Sequence, residues 1–135
     1  MARETRAGGY SGTPLAKKLG VKPGHVVRLV DAPAGFERLL PDLPPGARFS
    51  RTARNRDLTL WFPKDAADLR RRAGAIASAL GEGGLWICWR KGQTAPGTLR
   101  EDDVRDAGLG VGLVDYKVAA VDAVWSGLKF ARRRT

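Results

Sequence analysis

Residues 85–89, Leu-Trp-Ile-Cys-Trp, form an almost wholly apolar run with no polar face to turn towards water. A strand of that kind is buried on both sides, as happens at the centre of a mostly parallel sheet covered on both faces. Two further runs, 25–30 (His-Val-Val-Arg-Leu-Val) and 57–62 (Asp-Leu-Thr-Leu-Trp-Phe), are rich in β-branched and aromatic residues and read as strands. Between the second and third runs lies the clearest helix, 65–80. Asp65 and Asp68 fall in its first turn, where the helix dipole favours anions. Ala66, Leu69, Ala73, Ile76, Ala77 and Leu80 make one apolar stripe at helical spacing, and Gly81, Gly83 and Gly84 end it.

The remaining punctuation completes the order. Thr13-Pro14 reads as a cap and first helical position for a short helix 15–19, stopped by Gly20. With so few apolar residues, that helix is expected to act as a lid or flap. Residues 36–40 read as a short helix before Pro41, 47–50 as a short strand, and 51–56 as an exposed basic loop. Thr98-Leu99-Arg100-Glu101 fits a capping box that opens a helix running to Ala107, with Gly108 as its stop. Residues 111–121 and 124–131 then form an antiparallel hairpin that turns at Asp122-Ala123. Alternating strands and helices imply parallel pairing through right-handed crossovers. The expected fold is therefore α/β, a three-layer Rossmann-like sandwich with a mostly parallel sheet and a C-terminal antiparallel hairpin. Residues 1–9 read as a flexible basic arm, and residues 10–135 as a single domain.

Composition bounds the rest. The chain has 135 residues, of which 43% are hydrophobic and 28% charged, which suits one globular domain and not a disordered chain. No apolar run approaches the roughly 20 residues needed to span a bilayer. The first nine residues are polar and carry no signal-peptide core, and the lone Cys88 cannot pair within the chain. A cytosolic protein with no membrane partner is expected. The formal net charge of +10 attracts nucleic acid, anionic lipid or acidic proteins without selecting among them. Arginine use of this kind, alongside Ala, Gly and Pro, also follows from genome base composition alone.

Two family resemblances follow from particular strings. The succession of strand 57–62, helix 65–80, Gly83-Gly84, strand 85–89, helix and terminal hairpin resembles the second half of class I S-adenosylmethionine-dependent methyltransferases. That fold commonly has a glycine pair before its fifth strand and an antiparallel seventh strand. A resemblance covering nearly the whole chain is to a bacterial family, domain of unknown function 3052. It rests on residues 9–20 (Gly-Tyr-Ser-Gly-Thr-Pro-Leu-Ala-Lys-Lys-Leu-Gly), on 31–36 (Asp-Ala-Pro-Ala-Gly-Phe) and on 112–130. That family name implies no activity.

Candidate chemistries are few. The methyltransferase resemblance implies a glycine-rich cofactor loop after the first strand and an acidic residue after the second. Here the loop is Asp31-Ala32-Pro33-Ala34-Gly35, and the second region is Arg48-Phe49-Ser50-Arg51, with no carboxylate. No G-x-G-x-x-G stands between a strand and a helix, and Gly108-Leu109-Gly110-Val111-Gly112 follows a helix instead. One His and one Cys cannot make a usual zinc site, and Glu101-Asp102-Asp103 serves a helix N-terminus. Cys88 lies in a buried strand and reads as inert. No cofactor is expected, and catalysis is not.

Two readings stand for the charged residues near the strand ends: a surface salt-bridge set with Asp31 as a turn former, which is favoured, and a small-ligand site where such sheets place ligands, outside the strand carboxyl ends. Asp31 and Gly35 sit at one such end, and Arg90 and Lys91 at another. Asp115 and Lys117 lie on one face of the penultimate strand, because strand side chains alternate. A basic loop of Arg51, Arg54 and Arg56 and a tail of Arg132, Arg133 and Arg134 offer contacts to nucleic acid or another polyanion. Trp125 adjoins the hairpin turn and would centre an exposed apolar patch for a protein partner. The leading reading is a non-catalytic binding, accessory or regulatory protein with a protein partner. The alternatives are a small-molecule enzyme or methyltransferase-like remnant with a site at the strand ends, and nonspecific nucleic-acid binding.

Overall fold

The computed structural model describes residues 14–93 and 95–133. The expected arm at 1–9, Thr13 and Arg134 lie outside the described residues. Six strands form one sheet: β1 (Val26–Val30), β2 (Arg48–Ser50), β3 (Leu58–Trp61), β4 (Leu85–Arg90), β5 (Leu113–Ala120) and β6 (Trp125–Arg132), in the order β2-β1-β3-β4-β6-β5. The first four are parallel. β6 returns antiparallel between β4 and β5. This is the mixed α/β sandwich with a reversed C-terminal hairpin that the residue pattern implies.

Helices α2 (Ala66–Ser78) and α3 (Glu101–Gly110) cover one side of the sheet, over a core containing Trp61, Leu69, Ile87, Val104 and Phe130. The other side holds Leu19, Leu29, Leu60, Phe62 and Trp86. It is covered by α1 (Leu15–Leu19) and by the β1–β2 connection, which includes a 3-10 turn at Phe36–Leu39. Leu85 to Trp89 of β4 are buried throughout, alternately into each core.

Four local expectations are corrected. The first helix is a structural layer and not a flap. Ala16 and Leu19 are buried, and the Trp86 indole donates to the Leu19 carbonyl at 2.8 Å. Burying one leucine side chain is worth about 1.5–3 kcal/mol, enough to dock a helix too short to stand alone. The helix expected to stop at Gly108 runs on to Gly110. Gly108 is there for packing: a Cβ on it would lie 2.1 Å from Cε2 of the Phe130 ring. The α3 cap also differs, because the Asp103 carboxylate accepts from the Arg100 N–H while the Thr98 hydroxyl donates to the Ala95 carbonyl.

The fourth correction concerns β5. Asp115 pairs with Phe130 and Lys117 with Lys129, so Tyr116 is an extra, bulged residue. A bulge breaks the two-residue side-chain period. Asp115 therefore turns to the α3 side, where Arg105 Nε donates to it at 3.0 Å. Lys117 turns to the α1 side, where its Nζ donates to the Lys18 carbonyl at 2.8 Å. The two residues do not share a face.

Candidate functional site

The carboxyl ends of β1, β3 and β4 open onto one cleft of about 530 Å³. β1 leaves the sheet through Asp31, which adopts φ 58°, a left-handed conformation that Asp tolerates better than most residues. β3 leaves through Phe62-Pro63-Lys64. Asp65 then caps α2 by accepting from the Asp68 N–H at 2.8 Å. β4 ends at Arg90, and the antiparallel register places Trp125 beside it.

These groups hold one another. Arg72 Nη1 donates to the Asp31 carboxylate at 2.5 Å and stands 3.6 Å from the buried Asp68 carboxylate. The hydrogen bond to Asp31 is the main reason the Arg72 guanidinium is held above its ordinary value. Arg71 donates to Asp68 at 2.7 Å. On the facing wall the Arg90 guanidinium stands 5.5 Å from the Trp125 ring centre. Trp125 meets Phe62 edge-on at 5.1 Å, and Phe62 meets Phe36 edge-on at 5.0 Å. The cleft thus has an aromatic wall, a cationic rim of Lys64, Arg71 and Arg90, and an Asp31–Arg72 ion pair across it.

Of the residues expected at this end, only Asp31 and Arg90 line the cleft. Gly35, at φ 79°, opens the 3-10 turn beside the Arg38 guanidinium. Lys91 points to the hairpin and donates to the Asp122 carbonyl at 2.8 Å. Asp115 and Lys117 are bound on opposite faces of the far edge strand, as described above. Arg72, Asp68 and Phe62 were not anticipated as site residues, and Trp125 was expected at a partner surface and not in this cleft. The Asp68–Arg72 spacing of four on a helix that starts at a strand carboxyl end was the signal available. Trp125 is half-buried, with its ring edge-on to Phe62. No group of three or more metal-ligating side chains occurs among the described residues.

The arginines of the basic loop are largely committed to the fold. Arg51 donates to both carboxylate oxygens of Glu37, at 3.1 and 3.2 Å, and to the carbonyls of Ala32 and Pro33, both at 3.0 Å. Arg56 donates to the carbonyls of Arg54 and Ala53. Arg132 donates to the carbonyls of Ser78 and Leu80. Arg54 and Arg133 are exposed.

No protein-family model matches the chain, and no curated protein matches it. Solved structures do. One is a possible exported protein from Bordetella parapertussis, with TM-score 0.61 and 12% identity over 89% of this chain and 66% of that one. Another is the pyocyanin biosynthetic protein PhzM, with TM-score 0.62 and 13% identity over 88% of this chain and 53% of that one. A third is an S-adenosylmethionine-dependent methyltransferase from Aquifex aeolicus, with TM-score 0.59 and 14% identity over 86% of each chain. The chain thus spans just under two thirds of the first and about half of the second. At this identity the likeness is one of fold, and it extends over nearly the whole chain, beyond the second half where the residue pattern suggested it. The resemblance to domain of unknown function 3052 gains no support from these comparisons.

The methyltransferase fold implies S-adenosylmethionine, and the residues here do not fit it. The loop after β1 carries one glycine and a proline. The place after β2 where an acidic residue is implied holds Arg51, whose guanidinium is laid across the Ala32 and Pro33 carbonyls of that loop. The neighbouring carboxylate, Glu37, has both oxygens occupied by Arg51.

Proposed function

We propose that this protein is a non-catalytic binding or accessory protein on a methyltransferase-like fold. In this reading it has given up the S-adenosylmethionine site between β1 and β2. It keeps the neighbouring cleft between β1, β3 and β4 for an organic anion. The observation that carries this is the seat of Arg51, which ties the β1 loop to the end of β2 through four hydrogen bonds. An aromatic wall at Phe62 and Trp125 beside the exposed Arg71 and Arg90 suits a ligand with a planar body and a negative group. Catalysis by the remaining strand-end carboxylate is disfavoured, because Asp31 is already paired with Arg72.

The single buried cysteine fits a reducing compartment, and the reading places the protein in the cytosol. Among the described residues no helix is long and apolar enough to cross a membrane. Membership of domain of unknown function 3052 remains part of this proposal and is compatible with it.

Thermal shift tests the reading. S-adenosylmethionine is expected to leave the melting temperature unchanged, whereas a ligand at about 100 times its Kd would add about 2.7 kcal/mol. A saturable rise with S-adenosylmethionine would overturn the proposal. Organic anions with an aromatic body are expected to raise the melting temperature, and Arg90→Ala is expected to abolish that rise.

A further inference from the structure

The chain's positive charge is not evenly matched. Arg51, Arg71, Arg72 and Arg105 each meet a carboxylate. The lysines on the α1 side of the sheet meet none. Residues 14–30 contain Lys17, Lys18 and Lys22 and neither Asp nor Glu. β5 and β6 add Lys117 and Lys129 on the same side. The Lys117 amine donates to the Lys18 carbonyl at 2.8 Å, and the Lys129 amine to the Leu19 carbonyl at 3.2 Å. Among the described residues no carboxylate hydrogen-bonds or ion-pairs with any of these five lysines.

Lys129 reports the local field. It is buried, at 9% exposure, between the Trp86 and Tyr116 rings, each 5.7 Å from its Nζ. Burial lowers its amine from the ordinary value, and the charges of Lys117 and Lys22 lower it further. A buried cation pressed by two others, held by one carbonyl and two aromatic rings and by no carboxylate, marks a surface that lacks its counter-charge. Beside it the bulge lifts Tyr116 out to 57% exposure, with the Lys129 amine 5.7 Å from its ring.

We propose that this face, formed by α1 and the β5 edge, binds single-stranded nucleic acid, with Lys17, Lys22 and Lys117 on successive phosphates and the Tyr116 ring stacked on a base. The occupant follows from the chemistry. Exposed lysines without carboxylates suit a polyanion, and an exposed aromatic ring among them suits bases that are free to stack. A bilayer is less well served: α1 has five residues, its apolar side is buried, and Tyr116 and Val118 are the large apolar groups exposed on β5. The inference concerns a different face from the strand-end cleft and stands independently of it. It also moves the expected contact away from the arginine loop, whose Arg51 and Arg56 are already engaged.

Fluorescence anisotropy with labelled 20-nucleotide oligo-dT and oligo-rU probes tests it. Three phosphate contacts imply a log–log salt slope near −2.1, so affinity should fall about 20-fold between 50 and 200 mM salt. Replacing Lys17, Lys22 and Lys117 together with Gln should flatten most of that slope, and replacing them together with Arg should preserve it. Tyr116→Ala should weaken binding about tenfold at fixed salt. Matched far-ultraviolet spectra and melting curves, with the Arg variant, separate lost contact from lost fold. The proposal is overturned if the wild type binds neither probe or if the Gln variant binds as tightly as the wild type. It also fails if Arg51, Arg54 and Arg56 to Ala abolishes binding in its place. Binding to vesicles with 30% anionic lipid in the absence of oligonucleotide binding would assign the face to a membrane instead. Displacement by poly-glutamate that does not depend on Tyr116 would assign it to an acidic protein.

Discussion

Two glycines in helices make opposite predictions for one substitution. Gly74 lies on the exposed side of α2, and nothing stands within 4 Å of where its Cβ would be. Glycine in an exposed helix interior costs about 1 kcal/mol relative to alanine, so Gly74→Ala should stabilise by about 0.5–1 kcal/mol. Gly108 has the same intrinsic penalty, but its new methyl group would lie 2.1 Å from Cε2 and 2.5 Å from Cζ of Phe130. Ordinary contact begins near 3.4 Å, so the ring or the helix would have to retreat by more than an ångström. Phe130 is fully buried between α3 and the sheet and has no free direction. Overpacking of this kind costs about 1–3 kcal/mol. In so closed a site the upper part of that range applies, which leaves Gly108→Ala about 1–2 kcal/mol less stable after the propensity gain. At about 4 °C per kcal/mol for a domain of this size, Gly74→Ala should melt roughly 2–4 °C higher and Gly108→Ala roughly 4–8 °C lower. Urea unfolding followed by tryptophan fluorescence should give the same signs with unchanged m-values. Phe130→Leu should recover part of the loss in the Gly108→Ala background, because the two sites share one volume. If Gly108→Ala stabilises as Gly74→Ala does, the packing of α3 against Phe130 is wrong, and with it the extension of that helix to Gly110.

Two further outcomes follow from buried groups. Burial pushes the Cys88 thiol far above its ordinary range, so a native-state thiol assay should find no reaction until denaturant is added; rapid stoichiometric labelling of the folded protein would contradict the two-sided burial of β4. Lys129 is depressed chiefly by burial, so its cost to stability is full below its folded-state value and is relieved as pH climbs towards the ordinary 10.5, where the unfolded chain binds more protons. Lys129→Met should therefore gain stability over the wild type most clearly at neutral pH, with the gain shrinking in alkaline buffer. A constant difference across that range would mean the amine is not desolvated.

What could be read from the residues alone divides along a physical line. β4 and α2 were legible because their signals are local: an apolar run without a polar face, and a stripe at helical spacing that the structure buries at Ala66, Leu69, Ala73 and Ala77. Gly108 misled because glycine has two uses that look alike in one dimension. It ends helices by adopting positive φ, and it makes room for a neighbour. Only the position of Phe130, 22 residues further along, decides between them. Asp115 and Lys117 failed for a related reason. The alternation rule holds only while pairing is regular, and one extra residue at Tyr116 sends the two charges to opposite faces of the sheet. The candidate cleft was legible as a place but not as a set of residues. The carboxyl-end rule located it, and Asp31 and Arg90 are there. Arg72 reaches Asp31 across 41 positions, and Trp125 reaches Arg90 through an antiparallel register that no local pattern encodes. The same limit applies to charge. A net +10 is visible in the sequence, but which cations are spent depends on long-range carboxylates: Glu37 takes up Arg51, Asp31 takes up Arg72 and Asp115 takes up Arg105. Subtracting those pairs moves attention from the arginine loop to the lysines of α1 and β5, where the field has no internal answer.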